Sequence, residues 1–170
     1  MAAGPDLGTG FAAALRPGHV LVASHGTVGA RAAERAALDL CRTGGLLRHL
    51  HVVPDFWRGM MGDDWLNNVA TRITYGNYLE GELVREVADH LAGLSEQARL
   101  AGLRYADEVV VGKPAECLLD SIRRHRPEAV VIGAPRPKGT PGLRSRLDLE
   151  VLAAGLTVPL IIVPVPRPVG

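Results

Sequence analysis

The residues best suited to chemistry lie in the last third of the chain. The apolar run Val130-Val131-Ile132 ends in Gly133, and residues 136–146 beyond it carry Arg136, Lys138, Arg144 and Arg146 without one acid. A glycine lets a ligand approach the backbone closely. Cations beside Gly139, Thr140, Gly142 and Ser145 add what an anion needs, since backbone nests flanked by hydroxyls hold phosphates well. The chemistry this pattern offers is binding of a phosphate-bearing group. Bond breaking is not implied.

Other constellations are weaker. Ser24 and His25 would need a third group to orient a base onto a nucleophile, and adjacent residues rarely meet that geometry, so they read as turn or ligand-contact residues. His49 and His51 alternate on one strand face, a spacing compatible with a metal, yet buried hydrogen-bonded histidines are the expectation. His90 and His125 read as solvated helix residues. Asp63 and Asp64 lack a third ligand, and Cys41 and Cys117 lack a CxxC spacing, so they read as reduced buried thiols. No metal is expected beyond Mg accompanying a nucleotide. There is no Gly-Lys-Ser or Gly-Lys-Thr phosphate loop, no His-x-Gly-His turn and no Ser-Gly-Gly loop. The chain is therefore expected not to be an enzyme, or at most a slow nucleotide hydrolase.

The elements that must position these residues follow from periodicity. Residues 19–23 read as a short buried strand. A helix follows with Ala33, Ala36, Ala37, Leu40 and Cys41 on one face, and ends at Gly44-Gly45. A second strand, 46–53, stops at Pro54. From Tyr78 the positions Leu79, Leu83, Val87, Leu91, Leu94 and Ala98 trace one face of a long helix that Gly102 ends. A third strand is predicted at 108–112. Pro114 then opens a helix with Ala115, Leu118, Leu119 and Ile122 inward, and Pro127 closes it. A fourth strand at 129–132, a helix at 147–155 and a fifth strand at 160–163 complete the series. Wholly apolar strands alternating with helices predict an α/β fold. The expected architecture is an open, doubly wound, five-stranded parallel sheet with helices on both faces, Rossmann-like.

One segment resists that pattern. Residues 55–76 are longer than an ordinary connection and hold Trp57, Met60, Met61 and Trp65. They read either as a flap packed on the domain or as a surface for a protein partner. Residues 1–17 read as a mobile arm, 18–165 as one domain and 166–170 as a tail.

With 170 residues the chain suffices for one core, and a formal net charge of +1 supplies no global field toward nucleic acid or membranes. No run approaches the roughly 18 apolar residues of a membrane span. The absence of a basic-then-apolar leader adds to a cytoplasmic expectation. Abundant Arg, Ala and Gly point to a GC-rich bacterial genome.

Taken in order, the strand into Ser24, the Ala32-Ala33 helix, His51-Val52-Val53, Gly112 with Pro114-Ala115-Glu116, and Val130-Val131-Ile132-Gly133 with Val158-Pro159-Leu160-Ile161-Ile162-Val163 resemble the universal stress protein family. The resemblance covers about residues 18–165 and implies the adenine nucleotide alpha hydrolase-like superfamily. Nucleotide-binding members carry Gly-x-x-Gly, nine residues, then Gly-Ser or Gly-Thr. Here Gly133 matches the first glycine, Arg136 replaces the second, and the final pair falls on Arg146-Leu147. Ser24 stands where such members place an Asp. The resemblance thus implies a stress-response regulatory module that binds ATP, ADP or AMP, or another phosphate ligand, weakly or in altered mode. Gly133, Arg136, Gly139, Thr140, Gly142, Ser145 and Arg146 would serve phosphate, with Ser24 and Val53 serving ribose and base. The alternative is a nucleotide-free adaptor acting through Trp57, Met60, Met61 and Trp65. A homodimer pairing the edge Leu160, Ile161, Ile162 and Val163 is expected in either case.

Overall fold

Short β-branched runs between amphipathic helices bury most cheaply when the runs line up side by side and the helices cover both faces. The structure, a computed structural model, describes residues 16–24, 28–54, 77–135 and 147–167. The elements in chain order are β1 (His19–Ala23), α1 (Val28–Leu40), β2 (Leu46–Pro54), α2 (Asn77–Leu100), β3 (Arg104–Gly112), α3 (Pro114–His125), β4 (Ala129–Gly133), α4 (Leu149–Gly155) and β5 (Leu160–Val163). They form one five-stranded sheet in the order β3-β2-β1-β4-β5, parallel throughout. The expected doubly wound architecture is the observed one.

Strand parity sorts the core into two layers. Val20, Val22, Leu47 and Val131 face α1 and α2, meeting Ala33, Ala37, Leu94 and Ala98. Leu21, Leu50, Val130 and Ile132 face α3 and α4, meeting Leu118, Leu119, Ile122 and Leu152. Each fully buried Leu or Val contributes about 1.5–3 kcal/mol relative to exposure. The alanines of α1 let its axis lie close to the sheet, and this is where a polar side chain on α1 gains access to the strands.

Termination is local. Gly102 adopts φ +72°, its N–H bonds Arg99 and that of Leu103 bonds Ala98, so two otherwise orphaned carbonyls of α2 are satisfied. Asp148 caps α4 by accepting from the Glu150 and Val151 amides at 3.0 and 3.1 Å, which starts that helix two residues later than predicted. β3 begins at Arg104 rather than 108. Its polar first half pairs with β2 from Leu46↔Arg104 onward because an edge strand needs ladder bonds on one side only. Pro17 is fully buried, and its carbonyl accepts from the Arg42 amide at 2.9 Å.

Candidate functional site

The carboxyl ends of the strands converge on two adjoining features. The first is the crevice between β1 and β4, where the winding of the sheet reverses. In such sheets ligands occupy that crevice. Ser24 and Gly133 follow directly on the Ala23↔Ile132 pair, so the structure brings these two predicted residues onto adjacent strands. A Cβ on Gly133 would stand 2.7 Å from the Gly29 carbonyl oxygen and 2.8 Å from its carbon. Glycine is therefore required there to seat the first turn of α1 over the end of β4. Packing accounts for Gly133 whether or not a ligand comes.

The second feature lies on the α1/α2 face. β2 directs His49 and His51 to the same side as Leu47. α1 supplies Glu34 from the face of Ala33 and Ala37, and α2 supplies His90. Glu34 is 5% exposed, and its Oε1 accepts from both the Ser24 hydroxyl and His90 Nε2, the latter at 2.5 Å. An ionised carboxylate only accepts, so His90 Nε2 carries a proton in this contact. His49 is fully buried, and its Nδ1 lies 3.0 Å from the Tyr105 hydroxyl. His49 Nε2 has no hydrogen-bond partner among the described residues. The three imidazoles stand edge to face, with centroids 5.1–6.3 Å apart and planes 74–79° from one another.

Electrostatics follow from this burial. Desolvation pushes the Glu34 carboxyl up, but hydrogen bonds from His90 and Ser24, with favourable electrostatics from the neighbouring imidazoles, outweigh it and hold it below the ordinary value. Burial above all, then the facing His90 and His51, brings His49 down to about 4, against opposition from Glu34 and the Ser24 carbonyl. His49 is thus neutral near pH 7. Burial raises the Tyr105 hydroxyl, with Asp107 and Glu34 adding to the shift. A cavity of about 900 Å³ opens between α1 and α2, with Glu34, His51 and His90 on its wall beside Arg31, Arg35 and Asp89.

Serine and histidine both donate to one carboxylate oxygen, so the imidazole does not face the hydroxyl and the Ser–His contact of a triad is not formed by these two residues. The Ser24 hydroxyl, expected to serve a ribose, donates to Glu34. His90, read as solvated, is largely enclosed, because its place between Val87, Leu91 and Leu94 lies on the packed side of α2. His125 pairs with Glu108 at 3.3 Å. The buried, hydrogen-bonded state expected of His49 holds for Nδ1. Glu34 was missed. Its signal was an acid set among Ala30, Ala33 and Ala37 in a stripe of small residues.

Among the other predicted residues, Val53 is the penultimate residue of β2, and its side chain lies outside the described residues. Arg136, Gly139, Thr140, Gly142, Ser145 and Arg146 also lie outside them, as do Trp57, Met60, Met61 and Trp65. Leu160–Val163 forms an edge strand with Ile162 44% exposed. Neither Cys41, which is buried, nor Cys117, which is partly so, forms a disulfide among the described residues. Among the described residues, no helix is long and apolar enough to cross a membrane.

Comparison with known proteins places the fold. No protein-family model matches the chain. The hypothetical protein MJ0577 superposes with a TM-score of 0.65 at 14% identity, covering 88% of this chain and 97% of that one. A universal stress protein family member from Burkholderia pseudomallei gives 0.56 at 21% identity, covering 85% and 94%. A universal stress protein family protein from Arabidopsis thaliana, solved with AMP bound, gives 0.51 at 15%, covering 85% and 90%. The chain has the universal stress protein fold. In sequence, 65 residues are 35% identical to FAD synthase from Pyrococcus horikoshii, a match spanning 38% of this chain and 41% of that enzyme.

Proposed function

We propose that the chain is a regulatory module of universal stress protein type that takes an adenine nucleotide or another phosphate-bearing ligand at the crevice between β1 and β4. The observation that carries this reading is the reversal of sheet winding at Ser24 and Gly133, with the amino end of α1 seated over Gly133. The fold neighbour from Arabidopsis thaliana, solved with AMP, supports an adenine nucleotide as the class to try first. Gly133, Arg136, Gly139, Thr140, Gly142, Ser145 and Arg146 would face the phosphates, with Val53 near the base. Arginine in place of the second motif glycine removes close backbone approach and adds a bidentate phosphate donor, so binding is weak or altered.

The module acts in a stress response in the cytoplasm of a bacterium, as a homodimer joined through β5, and turns over no substrate. Adenylyl transfer of the FAD synthase kind is not assigned, since the sequence Ser24-His25-Gly26-Thr27 has a single histidine.

The test is to release bound small molecules from the purified chain by heat and identify them by mass spectrometry, then to titrate ATP and AMP calorimetrically. Near-stoichiometric nucleotide, or binding abolished in Arg136→Glu with Arg146→Glu, supports the reading. No released nucleotide and no heat of binding would sink it and transfer the function to a ligand-free adaptor working through residues 55–76.

A further inference from the structure

The described residues contain a cluster that the nucleotide reading does not use. We propose that His49, His51 and His90 form a binding site for a divalent transition ion of the zinc class, with Glu34 and Tyr105 as the outer groups that fix the ligand rings.

One ring nitrogen from each histidine lies within 4.8 Å of the other two. Around zinc, with Zn–N of about 2.0–2.1 Å, tetrahedral ligand atoms stand roughly 3.4 Å apart, so small rotations of the rings close the site. The rings also come from paired and packed elements. His49 and His51 are two residues apart on a strand paired on both sides, and His90 projects from a helix packed over it.

Chemistry selects this use over a plain polar contact. His49 Nε2 is a buried ring nitrogen with no hydrogen bond among the described residues, although a polar atom left so costs about 1–3 kcal/mol. Its other nitrogen is held by the Tyr105 hydroxyl at 3.0 Å. That is how a protein sets the tautomer that presents a lone pair to an ion. His90 is likewise gripped by Glu34, and Glu34 by Ser24, a carboxylate–imidazole pairing of the kind that orients metal ligands. Neutral imidazoles suit Zn²⁺, Ni²⁺, Cu²⁺ or Co²⁺, whereas Mg²⁺ and Ca²⁺ prefer oxygen donors. His51 and His90 also line the open cavity, which gives an ion its route in and leaves a coordination position facing solvent.

The test uses the full-length untagged chain, stripped with chelator and titrated with ZnCl₂ by calorimetry and with CoCl₂ in the visible range. One Zn²⁺ per chain and the d–d bands of tetrahedral cobalt are expected, without thiolate charge transfer from Cys41 or Cys117. His90→Gln, a change at a largely enclosed residue, should weaken zinc by at least about 100-fold, and Tyr105→Phe by about 10-fold through loss of the hydrogen bond that orients the His49 ring. Failure of the folded wild-type chain to bind zinc would overturn the proposal. So would undiminished affinity in His90→Gln, or a thiolate signature in the cobalt spectrum. Should His90→Gln not fold, the wild-type stoichiometry and cobalt spectrum with Tyr105→Phe still decide.

Discussion

Glu34 Oε1 and His90 Nε2, 56 positions apart in sequence, meet at 2.5 Å between two helices that cover the same sheet face. The contact ties α1 to α2 above β2, and the Ser24 hydroxyl ties the same oxygen to the end of β1. Replacing Glu34 with Ala leaves two buried donors unmet and should cost about 2–4 kcal/mol. Glu34→Gln keeps an acceptor oxygen and should cost about half as much. Urea unfolding in chelator measures both; equal losses for the two variants would show that the acceptor is not what matters.

Gly133 and Gly112 separate backbone from side-chain crowding. A methyl at Gly133 meets the Gly29 backbone at 2.7 Å, whereas at Gly112 it meets only the Cys117 sulfur at 2.7 Å. Backbone at the start of α1 cannot swing aside, but a thiol can rotate. Gly133→Ala is expected to destabilise by about 1–3 kcal/mol and Gly112→Ala by less than about 1 kcal/mol. Thermal melts of the two variants check the order, and it fails if Gly112→Ala is the worse.

Acid sensitivity has an identifiable source on the opposite face. Burial pushes the Glu108 carboxyl up, but the Arg124 hydrogen bond and charge, with Ser121 and His125, outweigh that and hold it below 4.5. A carboxylate with a depressed folded value contributes stability above its ordinary range and loses it as pH falls through the folded value. Glu108→Gln should therefore lower stability by about 1 kcal/mol at pH 7, because Arg124 is half-exposed and screened. The difference from wild type should shrink as pH falls from the ordinary carboxylate range through the lower folded value of Glu108. Denaturant midpoints from pH 7 down to pH 3 measure it, and a constant difference across that range would contradict the assignment.

The β5 edge makes a claim about assembly. Ile162 is 44% exposed on a strand with one open side. If the homodimer pairs there, Ile162→Lys should convert it to a monomer with unchanged circular dichroism, since a charge on an edge blocks pairing. Light scattering after size exclusion reads the mass directly. A dimer that survives the substitution must use another surface.

The layers of this protein follow from local patterning along the chain. Alternation of the strand runs with helical stripes required a parallel sheet covered twice, because strands apolar on both faces, such as β1 and β4, must be buried on both. Glycine and proline punctuation at Gly102, Pro114 and Pro127 set helix limits, since those signals act through local dihedrals and lost donors. Gly133 at the crevice was legible for the same reason. The start of β3 was not, because Arg104–Asp107 pairs only when β2 is alongside. The histidine–glutamate cluster was decided by the tertiary structure alone. His49 and His51 share a face by strand parity, but nothing local records that Glu34 and His90 arrive over that face. Their meeting depends on the small residues of α1 bringing that helix close to the strands, and on α2 crossing above β2. Side chains far apart in the chain acquire common chemistry only when packing removes the water between them.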